Sequence, residues 1–104
     1  MQFLSDLIDD EPKISVIKKI ELLCWQTDSN TDFWINQFIL RSEVINITEK
    51  IIQNCVAIRR SKKIKTPDAI IAATALTLDY TIITNNTKDF ENIEGLKFLN
   101  PYKL

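Results

Sequence analysis

The stretch that decides the fold is TPDAIIAATALTLDYTIIT, residues 66–84. Thr66 is predicted to be an N-cap and Pro67 suits the first helical position, so a helix is expected over residues 66–78. This helix is apolar nearly all round and rich in alanine, which predicts burial with close packing against its neighbours. The β-branched run 80–84 follows directly and predicts a strand. A helix that leads straight into a strand is typical of an α/β fold.

Strand-like and helix-like segments alternate through the rest of the chain. β-Branched or apolar runs predict further strands at 13–17, 42–47 and 96–99. Helical spacing of apolar residues predicts helices at 2–9, 18–25, around 33–39, from Thr48 to 58, and a short one at 87–93. Strands separated by helices predict an α/β layered fold with a mostly parallel sheet. A length of 104 residues predicts one domain, residues 1–104.

Composition excludes several classes of function. The chain has no histidine, which removes Ser-His-Asp and Cys-His catalysis and the usual zinc sites. Its one glycine, Gly95, rules out a phosphate-binding P-loop or a dinucleotide fingerprint. Cys24 and Cys55 are expected to be free, buried thiols in a reducing compartment. The apolar runs are too short to span a bilayer and the N-terminus does not resemble a signal peptide, so a cytoplasmic location is expected.

Acidic and amide side chains follow the predicted strands. Glu21 lies after the first of them, Asp68 begins the helix 66–78, and Asn85, Asn86 and Asp89 follow the strand 80–84. Ligands of open parallel sheets bind at the carboxyl ends of the strands. Taken singly, each acid also has an ordinary explanation as a surface charge or a favourable charge in a first helical turn. Together, hard oxygen ligands without histidine favour Mg²⁺ or Mn²⁺, ions that activate water and stabilise phosphoryl displacement.

A basic segment precedes the helix 66–78, although the whole chain has a net charge of −1. It consists of Arg59, Arg60, Lys62, Lys63 and Lys65. Such a segment is either a solvated helix end or a patch that attracts phosphates to the neighbouring acids. The aromatic residues Trp25, Phe33 and Trp34 are expected in the core.

Four segments of the chain resemble, in order, sequence blocks of PIN-domain proteins, above all the VapC-type ribonuclease toxins of toxin–antitoxin pairs. They are ISVIKKIELL (14–23), KTPDAIIAATAL (65–76), TIITNNTKDF (81–90) and GLKFLNPY (95–102). The resemblance covers roughly residues 13–102, with the middle helices similar in layout only. It implies a PIN-like three-layer α/β/α sandwich around a mostly parallel sheet and endonucleolytic cleavage of RNA that depends on Mg²⁺ or Mn²⁺.

The resemblance also assigns roles to individual residues. The acids that would bind the metal and act in catalysis fall on Glu21, Asp68 and Asp89. The supporting threonine and asparagine of the last acidic block fall on Thr84 and Asn86. On this interpretation the RNA phosphates would be contacted by Arg59, Arg60, Lys62 and Lys63 of the basic segment. The implied partners are an RNA substrate, a cognate antitoxin and a second copy of the chain in a homodimer.

The chain departs from the family at its N-terminus. The first acid of the family lies in a central strand with a pattern like D-T-N-x-L, which this sequence lacks. We therefore expect a domain truncated at its N-terminus, a missing first strand, three acids instead of four, and weak or absent catalysis. The alternative function is a non-catalytic protein that binds an antitoxin or a dimer partner. A receiver-like α/β module is a third interpretation, but it does not explain the block TIITNNTKDF.

Overall fold

A computed structural model describes the backbone of residues 3–5 and the whole of residues 12–84 and 86–101. The strands are β1 (Phe3–Ser5), β2 (Lys13–Ser15), β3 (Glu43–Ile45), β4 (Thr81–Ile83) and β5 (Lys97–Leu99). The α-helices are α1 (Val16–Cys24), α2 (Ser29–Arg41), α3 (Glu49–Ser61) and α4 (Thr66–Leu78), and a 3₁₀ turn covers Lys88–Phe90. The α/β class predicted from the sequence is confirmed. No helix in the described part of the chain is long and apolar enough to cross a membrane.

The five strands form one sheet in the order β3-β2-β1-β4-β5. The outer pairs are parallel, with Ile14 opposite Val44 and Ile82 opposite Phe98. The central strand β1 runs antiparallel to both neighbours. Parallel pairs therefore form the two halves of the sheet, and an antiparallel strand joins them.

The central position was expected to be vacant, but β1 occupies it. The helix predicted over residues 2–9 is therefore wrong at residues 3–5, and its remainder lies outside the described residues. Without β1, β2 and β4 would each present an edge with unpaired amide and carbonyl groups. Pairing with β1 satisfies these groups, and such a tertiary gain outweighs the local helical spacing of the sequence.

Caps explain where the first elements begin and end. Ser15 is the N-cap of α1, and its hydroxyl accepts a hydrogen bond from the amide of Ile17 at 3.3 Å. The strand predicted over 13–17 therefore ends at Ser15, and the helix predicted from residue 18 begins at Val16. Thr48 caps α3 as predicted, accepting from the amide of Ile51 at 3.3 Å.

The start of α4 differs from the prediction by one residue. Lys65, not Thr66, is the N-cap, and its side chain makes no capping hydrogen bond. Pro67 lies in the first turn, where a missing amide hydrogen costs little because those amides have no partner within the helix. Asp68 is in the same first turn, as predicted. The helix predicted over 87–93 is limited to the 3₁₀ turn.

Helix α4 is the centre of the hydrophobic core. Its side chains Ala69, Ala72, Ala73 and Ala75 are fully buried, as the alanine-rich sequence predicts. Small side chains let neighbouring elements approach closely. Around them pack larger buried residues from α3, α4, β4 and the 3₁₀ turn, namely Ile51, Ile58, Ile71, Ile82 and Phe90.

The three aromatic residues expected in the core are exposed. Trp25 is 55% exposed, Phe33 54% and Trp34 63%, and the rings of Phe33 and Trp34 meet edge to face at 5.3 Å. Helix α2 buries only Ile35 among its described side chains. Cys24 is also exposed and Cys55 is half-buried, so the expectation of two buried thiols is wrong. The residue types of these aromatic side chains predicted apolar contacts, but their exposed fractions show that they are only partly covered.

Candidate active site

The end of β4 is fixed by the buried residue Thr84. Its side chain is fully inaccessible. The amide of Thr84 donates to the carbonyl of Leu99 at 3.0 Å, which extends the pairing between β4 and β5 by one step. Its hydroxyl accepts from the amide of Asn86 at 3.0 Å. Thr84 thus sets the direction in which the chain leaves the sheet; Asn85 lies outside the described residues.

Asp89 lies in the 3₁₀ turn that follows, and its carboxylate is oriented by a neighbour. The side-chain amide of Asn86 donates to Oδ2 of Asp89 at 2.8 Å. The next residue, Phe90, is fully buried, and its amide donates to the carbonyl of Thr87 at 3.0 Å. A buried anchor on one side and an amide contact on the other hold the Asp89 carboxylate at the edge of the sheet. Thr84, Asn86 and Asp89 are therefore brought together.

Two members of the basic segment make hydrogen bonds to backbone carbonyls. Nζ of Lys62 donates to the carbonyls of Asp89 at 2.9 Å and Glu91 at 2.7 Å. Nε of Arg59 donates to the carbonyl of Ile64 at 3.1 Å, which closes the turn between α3 and α4. Arg60 is exposed on α3. The basic segment is thus partly a structural connection and partly a solvent-facing surface.

A cleft of about 450 Å³ lies beside the Asp89 carboxylate. It is lined by Arg59, Lys63, Ile64, Lys65 and Asp89. Three cationic residues and one acidic residue that line the same cleft form a surface that can attract a phosphodiester towards an acidic group. We call this the basic cleft. Lys65 was part of the predicted basic segment but was not among the predicted phosphate contacts; its position just before α4 was the signal for its place here.

Neither of the other two predicted acids is among the described residues that line the basic cleft. Asp68 is half-buried in the first turn of α4. Glu21 is exposed on α1, 3.9 Å from Nζ of Lys18. It lines a second cleft, of about 470 Å³, with Lys18, Leu22 and Trp25. Glu21 and Asp89 thus line different clefts.

The described residues match a divalent metal in their chemistry but not in their arrangement. The three carboxylates are hard oxygen ligands of the kind that Mg²⁺ and Mn²⁺ bind. In the part of the chain that the structure describes, however, no three Asp, Glu, Cys or His side chains lie close enough together to hold one ion.

Comparison with known proteins identifies the family. The PIN domain family matches residues 25–96 of the chain. A toxin–antitoxin complex from Klebsiella pneumoniae contains a similar structure, with 35% sequence identity and a TM-score of 0.73 over 88% of this chain and 75% of that chain. VapBC2 from Rickettsia felis, solved bound to a DNA fragment from its promoter, has a TM-score of 0.70 over 85% of this chain and 73% of that chain. Its identity of 24% shows the fold alone.

A curated relative shares a shorter stretch. Ribonuclease VapC1 of Rickettsia felis is 53% identical over 36 residues, which are 35% of this chain and 27% of that protein. The match to the PIN family covers most of the chain, and the Klebsiella relative is similar over most of both chains. The chain therefore belongs to the PIN-domain family, as a protein of the VapC type.

Proposed function

We propose that this chain is a VapC-type endoribonuclease that depends on Mg²⁺ or Mn²⁺ and acts on RNA bound in the basic cleft. The observation that carries the proposal is the position of Arg59, Lys63 and Lys65 around the oriented carboxylate of Asp89. A chain with a net charge of −1 does not attract RNA by its overall charge, so a local cationic cleft is the feature that can bind phosphates.

The proposed roles follow from what each side chain contacts. Arg59, Lys63 and Lys65 would neutralise successive RNA phosphates, and the exposed Arg60 would extend this surface along α3. Asn86, and Thr84 behind it, would keep the Asp89 carboxylate aimed at the scissile phosphodiester. Glu21 and Asp68 are proposed as the further acids of the reaction, on the resemblance to the family.

The proposal is tested by RNA cleavage in the presence of Mn²⁺ and of a chelator. We expect the wild-type chain, with three of the four family acids, to cut single-stranded RNA slowly with Mn²⁺ and to lose this activity when the metal is chelated. Asp68→Asn should lower the rate by at least about a hundredfold, because a neutral amide cannot replace a catalytic carboxylate. Asp32→Asn, on an exposed position of α2, is the matched control. Equal rates for Asp68→Asn and wild type would count against the proposal.

A second function is favoured by a specific observation. The described residues hold no group of three metal ligands, while Trp25 at the C-cap of α1 and both Phe33 and Trp34 of α2 are exposed. Exposed aromatic residues of this kind are enriched where proteins bind one another. The chain would then be a non-catalytic protein that binds a cognate antitoxin, a second copy of itself, or both.

Calorimetry separates the two functions. A non-catalytic chain would bind the cognate antitoxin but would show no stoichiometric heat when titrated with Mn²⁺. One Mn²⁺ bound per chain, lost in Asp89→Asn, would support the enzyme and argue against the second function. Sedimentation analysis of the same samples reports whether the chain forms the proposed homodimer.

A further inference from the structure

The sequence groups Lys62 with the cations that would contact RNA, but its hydrogen bonds indicate a different role. We infer that Lys62 is a positioning residue, which holds the 3₁₀ turn and thereby fixes Asp89 beside the basic cleft. The inference rests on the proposed function for its catalytic consequence. The contact itself is independent of RNA, because both hydrogen-bond partners of Lys62 belong to the chain.

The ammonium group of Lys62 joins two distant parts of the sequence. It donates at 2.9 Å to the carbonyl of Asp89 and at 2.7 Å to that of Glu91, which are 27 and 29 residues away. Hydrogen bonds from a charged donor are stronger than neutral ones. Two of the three ammonium hydrogens are used in this way, and the two carbonyls flank Phe90, the buried anchor of the turn.

Different side chains hold the backbone and the carboxylate of Asp89. Lys62 fixes the backbone on either side of Phe90, and Asn86 fixes the carboxylate through its Oδ2 contact at 2.8 Å. Without Lys62 the backbone at Asp89 would rely on the burial of Phe90 and on the hydrogen bonds of the turn itself, such as that from the Phe90 amide to the carbonyl of Thr87. A small displacement of a reacting group lowers the reaction rate by a large factor, so the hydrogen bonds of Lys62 to the turn backbone should affect the rate of cleavage.

The adjacent lysine has the opposite environment. Lys63 is exposed and lines the basic cleft, whereas Lys62 is half-buried against the turn. Lys65, also exposed, lines the cleft as well. The basic segment therefore has two functions: Lys63 and Lys65 line the cleft, and Lys62, the C-cap residue of α3, ties the segment to the backbone carbonyls of Asp89 and Glu91. Lys63→Met is thus a matched control for Lys62→Met.

The salt dependence of RNA binding distinguishes a phosphate contact from a positioning contact. For single strands, each neutralised phosphate contributes about 0.7 to the slope of log affinity against log salt concentration. We expect Lys63→Met to reduce the slope by about this amount and Lys62→Met to leave it unchanged. A reduction in Lys62→Met equal to that in Lys63→Met would overturn the inference.

Amide hydrogen exchange tests the hydrogen bonds of Lys62 to the 3₁₀ turn in the absence of RNA. The Phe90 amide should exchange about tenfold faster or more in Lys62→Met, because the turn loses its charge-assisted bonds. Lys63→Met should leave it unchanged, and Lys62→Arg, which keeps a charged donor, should restore most of the protection. Unchanged exchange at Phe90 in Lys62→Met would refute the role. Equal acceleration at the core residue Ala72 would show that Lys62 acts on global stability instead.

The kinetics of RNA cleavage test whether the hydrogen bonds of Lys62 to the turn affect the reaction. In Mn²⁺-dependent cleavage, Lys62→Met should lower kcat by about 10- to 100-fold with little change in KM, whereas Lys63→Met should mainly raise KM. If the wild-type chain neither binds nor cuts RNA, the proposed function fails, and the exchange of the Phe90 amide still decides the role of Lys62. A rise in KM for Lys62→Met with unchanged kcat would show that Lys62 contacts RNA phosphates instead, and would overturn the inference.

Discussion

At the scale of single residues, short polar contacts decide which side chains are held in place. Asn86 orients Asp89, and Lys62 holds the backbone of the same turn. The proximity of Thr84, Asn86 and Asp89 could be predicted from the sequence, since they lie within six positions of one another. The sequence could not indicate the role of Lys62, because the partners of Lys62 are 27 or more residues away.

Asp28 offers a direct test of a local contact. The amide of Thr31 donates to Oδ1 at 2.7 Å and its hydroxyl donates to Oδ2 at 3.0 Å, and both lower the pKa of Asp28 below 3.8. Since the folded pKa is depressed, this cap stabilises the fold above pH 3.8 and the gain is lost as the pH falls through the folded pKa. Thr31→Val should move the pKa, measured by carboxyl NMR titration, part of the way back. Thr31→Ser, which keeps the hydroxyl, should leave it low; an unmoved pKa in Thr31→Val would contradict the contact.

At the scale of elements, the close packing of α3 against α4 depends on small side chains. Ala72 is fully buried in the same core cluster as Ile51 and Ile58 of α3. Ala72→Leu should lower the free energy of unfolding by about 1–3 kcal/mol, because the added carbons have no space. Thermal melting measures the loss. Ala57→Leu, on an exposed position of α3, is the control, and equal melting temperatures for the two variants would contradict the packing.

The central strand is the element that local sequence could not predict. Helix α4 and strand β4 were recognisable from Pro67, the alanines and the β-branched run, which are all signals within one segment. In contrast, β1 is a strand because β2 and β4 lie on either side of it, and this information comes from residues far along the chain. The exposed Trp25, Phe33 and Trp34 were missed for a similar reason, since coverage depends on neighbours in space.

A proline substitution in β1 tests its central position in the sheet. Leu4 is paired with Ile82 on one side and Lys13 on the other. Leu4→Pro removes an amide donor and is not accommodated in a central strand, so it should destabilise the fold by about 1–3 kcal/mol in chemical denaturation. Leu4→Ile retains the amide hydrogen and serves as the control. Equal stabilities of the two variants would show that β1 is not part of the folded sheet.

At the scale of the whole molecule, the sheet brings distant segments to one edge. The end of β4, the turn with Asp89 and the segment between α3 and α4 meet at the basic cleft. The sequence indicated this juxtaposition through the acids that follow the predicted strands and the basic segment beside them, and the resemblance to PIN-domain proteins implied it as well. Local signals could not show that Glu21 lines a separate cleft, since the placement of α1 depends on the packing of the complete fold.

We propose that RNA held in the basic cleft is cut with the help of the Asp89 carboxylate. The most direct test is the single-turnover rate of cleavage of a fluorescent RNA, at saturating protein and with Mn²⁺, for the wild type and for Asp89→Asn. The expected result is that both proteins bind the RNA and that Asp89→Asn cuts it at least about a hundredfold more slowly. Equal rates for the two proteins, or no cleavage by the wild type at saturation, would contradict it.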